Sequence, residues 1–329
     1  RKNKNEIILN LKKLNKIRKI NLIDNSITFD SGCILGDIKN KLNNLDMEFP
    51  LSMGSRGSCQ IGGNISTNAG GINFIKYGSL RENIIGLEIV GTGGKIVSNL
   101  DSIKKNNTGI DLKQIFIGSE GTLGIITGAT CKIFKKVSEK CVLWMGVNKF
   151  KNILNLYTNF VRSFCDQITS FEMMNNKSVS IVDNINLNIE LNKKYFCLIE
   201  LSNFQEIENF NEYIISKLSK MDSNLENLII AKNDTENSLL WNIRESIPIA
   251  EKKHGVIVKH DISIPLENMD NFIENTEKKL FSFKSLEIIN FGHIGDNNLH
   301  FNVCLNSNLS VKEKTKIAKK INQIIFSNV

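Results

Sequence analysis

"GSCQIGGNISTNAGG", residues 57–71, carries five glycines with Ser, Thr and Asn between them. Glycine lets backbone N–H groups approach a ligand closely, and successive N–H groups in turns form an anion-binding concavity. Such a run suits a phosphate-bearing cofactor, and it also reads as a surface loop. It is not a nicotinamide-type fingerprint, because no G-x-G-x-x-G follows a strand, nor a P-loop, because no G-K-[ST] follows. A second segment, "IGSEGTLGIIT" (117–127), is an apolar-flanked turn with one acid, Glu120; alone it reads as a strand-entry turn.

Outward from these segments, the chain is Gly-punctuated up to about residue 137. "EIILNL" and "INLIDNSITF" read as strands, "ILGDIKNKLNNLD" as a short helix, and "SMGSRGSCQIGGNISTNAGG" as a long loop. "IIGLEIVGTGGKIVS" reads as two strands around a Gly-Gly turn, "DLKQIFIG" as a short helix and "GTLGIITGATCKIF" as a strand. Beyond that point long helices alternate with strands. "FKNILNLYTNFVRSF" predicts a helix with Phe150, Leu154, Tyr157, Val161 and Phe164 on one face. "FQEIENFNEYIISKLSKM" predicts another through Ile207, Phe210, Ile214, Leu218 and Met221, with Ser202 or Asn203 as N-cap. "TENSLLWNIRESIPIAEKK" predicts a helix that Pro248 kinks, and "VKEKTKIAKKINQIIF" a final one. "YFCLIEL", "NLIIA", "GVIVKHDISIP", "LEIINFGHIG" and "LHFNVCL" read as strands. Strands and helices mixed without strict βαβ order predict an α+β second domain on an antiparallel sheet.

The chain has 329 residues, enough for two domains, and its 41% hydrophobic and 23% charged content are those of a soluble globular protein. The formal charge of +8 accompanies a Lys/Asn/Ile bias along the whole chain, without a basic stripe interleaved with aromatics, so no nucleic-acid partner is expected. No apolar run reaches the length of a membrane span. Seven scattered cysteines without a C-x-x-C pair predict free thiols in a reducing compartment.

"GHIGDNNLH" (292–300) holds two of the four histidines. A two-residue turn at Asp296-Asn297 would pair Gly295 with Asn298, Ile294 with Leu299 and His293 with His300. The imidazoles would then lie opposite on one face, joined by Asn302 two residues on. Such a pair can share a divalent ion such as Zn²⁺, or donate structurally to backbone carbonyls. Arg244 and Lys259 are carboxylate-binding candidates, a forked guanidinium and a point charge, that could equally lie on solvated surfaces.

Five segments together carry a resemblance. "PLSMGSRGSCQIGGNISTNAGG", "YGSLRENIIGLEIV", "NNTGIDLKQIFIGSEGTLGIIT", "IRESIPIAEKKHGVIVKHDISIP" and "FGHIGDNNLHFNV" resemble, in order and approximate spacing, the flavin-dependent D-2-hydroxyacid dehydrogenases of the vanillyl-alcohol-oxidase type. The resemblance is closest to the D-2-hydroxyglutarate dehydrogenase branch and spans essentially the whole chain. It implies an α+β fold, with the second part of an FAD-binding domain over 1–137. Over 138–329 it implies a substrate (cap) domain, an antiparallel sheet with flanking helices, and the start of a C-terminal segment.

Carried over by position, the resemblance places flavin contacts at Pro50, Gly54, Ser58, Ile61, Gly62 and Gly63, and at Thr67, Asn68, Gly70, Gly71, Tyr77 and Gly78. Glu120, Gly121, Gly124, Ile125 and Ile126 follow from the second motif. The first loop has no histidine and Cys59 as its one nucleophile, so non-covalent FAD is expected. Arg244 and Lys259 match substrate-carboxylate positions, His293 and His300 match ligands of a divalent metal with Zn²⁺ favoured, and Asn302 joins the catalytic group. The implied reaction is D-2-hydroxyglutarate to 2-oxoglutarate by hydride transfer to FAD. Electrons would pass on to a quinone or an electron-transfer flavoprotein. A D-lactate or glycolate dehydrogenase, or a non-catalytic flavoprotein remnant, are the rivals. A homodimer is allowed, and the cytoplasm, or the mitochondrial matrix of a eukaryote, is the expected location. Two departures stand out. The family's pyrophosphate loop and its E-H-G motif would lie before and after these residues, so an internal fragment is expected. Pro248 also stands where some members carry a hydroxyl.

Overall fold

"SITFD" is the seed of the first sheet, because its residues are buried on both faces while its partner strand is half exposed. The computed structural model describes residues 7–183, 185, 189–221, 225, 227–283, 286–305 and 309–329. The chain divides into two compact units, Arg1–Lys136 and Val137–Val329. "INLIDNSITF" contributes to two strands, β1 (Ile17–Asn21) and β2 (Ser26–Asp30), because the chain turns at Asp24-Asn25 with Asn25 at φ 50°. Asn tolerates that left-handed conformation better than most residues. "EIILNL" is not a strand. Residues 7–11 pair with no neighbour, and Ile7 and Ile8 are exposed; Glu6 lies outside the described residues.

The unit continues with α1 (Leu35–Asn43), β3 (Met47–Glu48) and three short helices, α2 (Ile61–Ser66), α3 (Phe74–Tyr77) and α4 (Leu80–Asn83). Then come β4 (Ile84–Val90), β5 (Ile96–Asn99), α5 (Lys113–Phe116), β6 (Ile125–Lys132) and β7 (Phe134–Lys135). The five-stranded antiparallel sheet runs β1-β2-β6-β4-β5, and β3 pairs with β7. The Gly-rich segment is not all loop. Ile61 and Ile65, four apart, are both fully buried beside Leu35 and Ile38 of α1, and that burial stabilises one turn and a half of helix despite two glycines.

The second unit comprises β8 (Lys140–Val147), α6 (Phe150–Phe164), β9 (Ile168–Asn175), α7 (Asn176–Ser180), β10 (Tyr195–Ser202), α8 (Phe210–Leu218) and β11 (Ile229–Ile230). It continues with α9 (Asp234–His254), β12 (Val256–Val258), β13 (Asp261–Ser263), α10 (Leu266–Leu280), β14 (Glu287–His293), β15 (Asn298–Leu305) and α11 (Val311–Phe326). The sheet order is β11-β8-β10-β9-β14-β15-β12, with β13 also on β15, and every pairing is antiparallel. The fold is therefore α+β, as the mixed element order implies. Helix α9 covers one face, packing Ile243 and Ile247 with Trp144, Leu198, Met174 and Phe291. Helices α6 and α10 cover the other, through Phe160 and Tyr157 on Phe171 and Phe272 on Phe301. With both faces covered, β9 and β10 are buried at every residue, so they lack the alternation that marks a half-exposed strand.

Helix details differ from the sequence expectation. In α6 the buried residues are Phe150, Ile153, Leu156, Phe160 and Phe164, whereas Leu154 and Tyr157 are half-buried and Val161 is exposed. The helix is turned so that its three phenylalanines face the sheet. Helix α8 starts at Phe210, not near Phe204, because Asn203 closes its own turn: its Oδ1 accepts from Ile207 N at 2.9 Å and its Nδ2 donates to Ile207 O at 2.8 Å. "GVIVKHDISIP" forms two strands, interrupted where Lys259 and His260 leave the ladder.

Candidate active site

In the first unit, two of the sequence motifs meet. The Gly118 and Glu120 N–H groups donate to the Ile65 and Ser66 carbonyls at 3.1 and 2.9 Å, docking the 117–127 turn on the C-terminus of α2. Asn68 and Glu120 take left-handed φ of 50° and 52°, and Asn68 Oδ1 accepts from Arg81 N at 2.9 Å. The Arg81 guanidinium in turn donates to the Gln114 and Ile117 carbonyls, locking the second motif to α4. Beside this junction lies a cavity of about 430 Å³ lined by Gln60, Gly62, Gly63, Ser66, Gly121, Gly124, Ile125 and Ile126, together with residues 8–12. A Cβ added at Gly63 or Gly121 would meet nothing within 4 Å, so bare backbone faces open space there.

Six of the expected flavin contacts (Gly62, Gly63, Gly121, Gly124, Ile125 and Ile126) line that one cavity. Ile61 is in the core, and Tyr77 is buried with its ring 4.6 Å from Phe134. Pro50 is buried, Gly54 and Ser58 lie on an exposed turn, Thr67 closes α2 by donating to Gly63 O at 3.1 Å, and Gly70 is half-buried. Gly71 (φ 76°) and Gly78 (φ 71°) make turns; a Cβ on Gly71 would stand 2.3 Å from Ser52 O, a conformation and a contact reserved for glycine. Gln60, Ser66 and Arg81 carry no motif signal of their own, and the sequence reading passed over them.

In the second unit the candidate residues gather on the α9 face of the sheet. The hairpin register differs from the expectation. His293 pairs with Asn298, and His300 pairs with Phe291. A 3-10 turn over Ile294–Asp296 and a left-handed Asn297 (φ 64°) make the loop longer than two residues. The histidines are thus diagonal neighbours on the same face, since the shift is by an even number of residues. Their rings still meet edge to face, with centroids 5.4 Å apart.

Glu172, on β9 opposite His293, organises this end of the sheet. It is fully buried, and its Oε1 accepts from His293 Nδ1 at 2.7 Å. Its Oε2 accepts from Arg244 Nε at 2.8 Å, and Arg244 Nη2 completes the ion pair at the same distance. Burial pushes the Glu172 carboxyl up, but His293 and Arg244 beside it outweigh burial and hold it below the ordinary carboxylate range. Arg244 itself is 5% exposed and stacks 4.7 Å over the Phe291 ring, so it is not on a solvated helix face.

A parallel arrangement holds the other cation. Lys259 donates to Oε1 of Glu251, a fully buried acid seven residues beyond Arg244 on the same stripe of α9. Oε2 of Glu251 accepts from Asn302 Nδ2 at 2.8 Å, while Asn302 Oδ1 accepts from His260 N at 3.1 Å. Asn302 is therefore a buried brace between Glu251 and the backbone. His260 is built into the core, with Nδ1 3.0 Å from Phe301 O and Nε2 2.9 Å from Asn322 Oδ1.

His300 Nδ1 stands 3.5 Å from Asp261 Oδ1, which also accepts from Asn298 Nδ2 at 2.6 Å. The His300 hydrogen bond holds the Asp261 carboxyl down to about 2. Burial instead pushes Asp296, in the turn, up to about 6. Both imidazoles thus direct Nδ1 at a carboxylate, which makes Nε2 the lone-pair nitrogen of each when neutral. Such a pair can ligate a cation or take a proton from a hydroxyl. Neither Glu172 nor Glu251 carries a motif signal of its own in the sequence.

Comparison with known proteins identifies the setting. Residues 136–328 match the family described as FAD linked oxidases, C-terminal domain, and residues 1–99 match an FAD binding domain. A mitochondrial Schizosaccharomyces pombe protein carrying the provisional name D-lactate dehydrogenase is 34% identical over 315 residues, covering 91% of this chain and 60% of that protein. The mitochondrial D-2-hydroxyglutarate dehydrogenase of Arabidopsis thaliana is 32% identical over 305 residues, covering 91% of this chain and 54% of that protein. The chain therefore spans less than two thirds of the length of these relatives. Among solved structures, an alkyldihydroxyacetonephosphate synthase superposes with a TM-score of 0.74 at 17% identity, over 96% of this chain and 62% of that one, a likeness of fold.

Proposed function

This chain belongs to the FAD-linked oxidases. From that premise we propose that it forms the flavin-cradling and substrate-binding parts of an enzyme that oxidises D-2-hydroxyglutarate to 2-oxoglutarate. The observation that carries the proposal is the Arg244–Glu172–His293 chain, a buried cation and an imidazole fixed by one carboxylate beside a second imidazole.

The cavity where the two glycine motifs meet suits a non-covalent FAD by its bare walls: a Cβ at Gly63 or Gly121 would face open space, Gly62 and Gly124 add to the lining, and Ile125 and Ile126 flank it. Of the remaining expected contacts, Gly71, Gly78 and Glu120 hold turns of left-handed φ, and Ile61 and Tyr77 pack in the core. FAD would supply the acceptor for the two electrons and the hydrogen that leave C2, and a divalent ion held by His293 and His300, Zn²⁺ by its taste for imidazole, would polarise the C2 oxygen. Arg244 uses its Nε and Nη2 edge to face Glu172, which leaves the Nη1 side for the substrate carboxylate. Lys259, with half its side chain exposed, suits the second carboxylate. His293 and His300 present Nε2 as metal ligands, and Asn302 positions Glu251 and through it Lys259. The hydroxyl proton passes to solvent as C2 becomes a carbonyl.

Among the described residues no helix is long and apolar enough to cross a membrane, and all seven cysteines are free thiols. A reducing compartment, cytoplasm or mitochondrial matrix, suits them, with a quinone or electron-transfer flavoprotein as acceptor and a homodimer as an allowed assembly. A D-lactate dehydrogenase is the second reading, favoured by the name of the yeast relative and by the neutralisation of both cations within the protein. The deciding experiment is steady-state oxidation of D-2-hydroxyglutarate, D-lactate and glycolate by the complete enzyme with a dye acceptor. A higher kcat/KM on D-2-hydroxyglutarate, lost in Arg244→Ala with flavin content retained, is expected. Turnover of none of the three by flavin-loaded protein would overturn the proposal.

A further inference from the structure

The same face of β14 and β15 that holds His293 and His300 at one end carries Glu287 and Cys304 at the other, paired directly across the ladder. His293 lies six positions along the strand from Glu287, so the two ends stand about 20 Å apart. His254, the last residue of α9, reaches the far end: its Nε2 lies 2.5 Å from Glu287 Oε2. The His254 nitrogen, a Glu287 oxygen and the Cys304 sulfur all lie within 4.8 Å of one another. Cys304 is buried, while His254 is exposed and opens the cluster to solvent.

We propose that His254, Glu287 and Cys304 form a second binding site, for a divalent ion of borderline or soft character such as Zn²⁺ or Co²⁺. One nitrogen, one carboxylate oxygen and one thiolate select such ions over Mg²⁺ or Ca²⁺, which take oxygen ligands. Ligands of tetrahedral zinc at 2.0–2.3 Å from the metal stand about 3.5 Å apart. The His254–Glu287 contact must open by about 1 Å, and the widest pair close by about as much, to reach that spacing; side-chain rotation does both. Two features prepare the site. A Cβ at position 255 would stand 2.7 Å from the Cys304 sulfur, so Gly255 is what lets the helix end come down onto the thiol. Lys177 holds the other oxygen of Glu287 at 2.6 Å, orienting Oε2 toward His254. The carbonyl end of α9 adds a negative potential that favours a cation. On binding, the thiol proton leaves to solvent, the sulfur becomes the third ligand, and water completes the tetrahedron.

The test uses Co²⁺ as probe, on complete enzyme stripped by a chelator and read as a difference spectrum against the metal-free protein. One equivalent producing a thiolate-to-cobalt charge-transfer band in the near ultraviolet is expected. Cys304→Ser should abolish the band, and His254→Gln, at an exposed helix end where folding is not at stake, should weaken Co²⁺ binding by about tenfold or more. His293→Ala should leave the band intact, which separates this site from the hydroxyacid site whatever becomes of the latter. Circular dichroism and tryptophan fluorescence report whether each variant is folded. No band in the wild type, or a band that persists in Cys304→Ser, overturns the proposal and leaves the cluster as an ion pair beside a thiol.

Discussion

Glu172→Gln is the sharpest test of how the site is built. The wild-type carboxylate receives one N–H from Arg244 and one from His293, with Arg244 Nη2 2.8 Å away in the ion pair, in a position fully out of solvent. Glutamine keeps the shape but has one acceptor oxygen and an NH₂ group, so at least one donor faces another donor. The Arg244 charge would also lose its counter-charge while remaining buried. Breaking a buried pair by removing one partner costs about 3–5 kcal/mol. Both tryptophans, Trp144 and Trp241, lie in the second unit, so urea unfolding of flavin-free chain followed by tryptophan fluorescence reads that unit alone. With a urea slope of about 2 kcal/mol/M, the midpoint should fall by about 1.5–2.5 M.

The pH dependence of that loss has a definite sign. Glu172 is held below the ordinary carboxylate range, so its contribution is complete above the unfolded-state value and disappears as pH falls through the folded one. The gap between wild type and Glu172→Gln should therefore be level from pH 6 to 8 and narrow below about pH 4. Replacing both partners, Glu172→Met with Arg244→Leu, should cost less than Glu172→Gln alone, because no uncompensated charge is left. A loss under about 1 kcal/mol for Glu172→Gln at pH 7 would mean that water or another group takes over, and the buried bridge described here would not exist in solution.

Three further outcomes are expected. His293→Ala and His300→Ala should each remove most turnover, and the double variant should be scarcely worse than either, because ligands of one ion act as a unit; additive losses measured by kcat/KM would point to separate roles. Lys259→Ala should reduce kcat/KM for D-2-hydroxyglutarate more than for D-lactate, by about 1.5–3 kcal/mol of lost charge-assisted hydrogen bonding; equal losses would remove Lys259 from the second carboxylate. Gly71→Ala, with φ 76° and Ser52 O in the way, should lower the melting temperature and the flavin content together, at a cost of about 1–3 kcal/mol; unchanged flavin binding would detach that turn from the cofactor.

What could be read from the sequence divides along physical lines. β14, β15 and α11 were legible because periodicity and caps lie within a few residues, as in Ser310 and Glu313, which form a capping box at the start of α11. β8 and β9 were not, and neither was α10. A strand buried on both faces shows no alternation, and whether "ITSFEMMN" is covered twice depends on α9, far along the chain, as well as on α6 just before it. The hairpin illustrates a middle case. Both histidines were placed on one face, which parity alone decides, but their pairing was wrong because the turn takes Ile294–Asp296 into a 3-10 conformation. Arg244 and Lys259 were legible as candidate carboxylate-binding cations. Their partners were invisible, since an acid meets a base across 72 residues in one case and by the packing of a helix stripe in the other.

Those partners bear on substrate choice. Two cations facing a pocket would by themselves favour any anion, yet here Glu172 and Glu251 cancel Arg244 and Lys259, so the four groups together are neutral. A dicarboxylate entering such a site brings two uncompensated negative charges into surroundings of low dielectric, a worse situation than lactate with one. A divalent ion at His293 and His300 lessens that penalty: with Asp261 counted beside His300 it leaves one positive charge before substrate binds, and it attracts the two charges of a dicarboxylate more strongly than the one of lactate. On this arithmetic the proposed metal acts on selectivity as well as on the C2 hydroxyl, and neither assignment stands well without the other. Chelation should therefore raise KM for D-2-hydroxyglutarate more steeply than for D-lactate, beyond any common loss of kcat. A KM ratio between the two substrates that chelation leaves unchanged would show that the glutamates do not neutralise the cations when substrate is bound, and Glu251 would have to release Lys259 on binding.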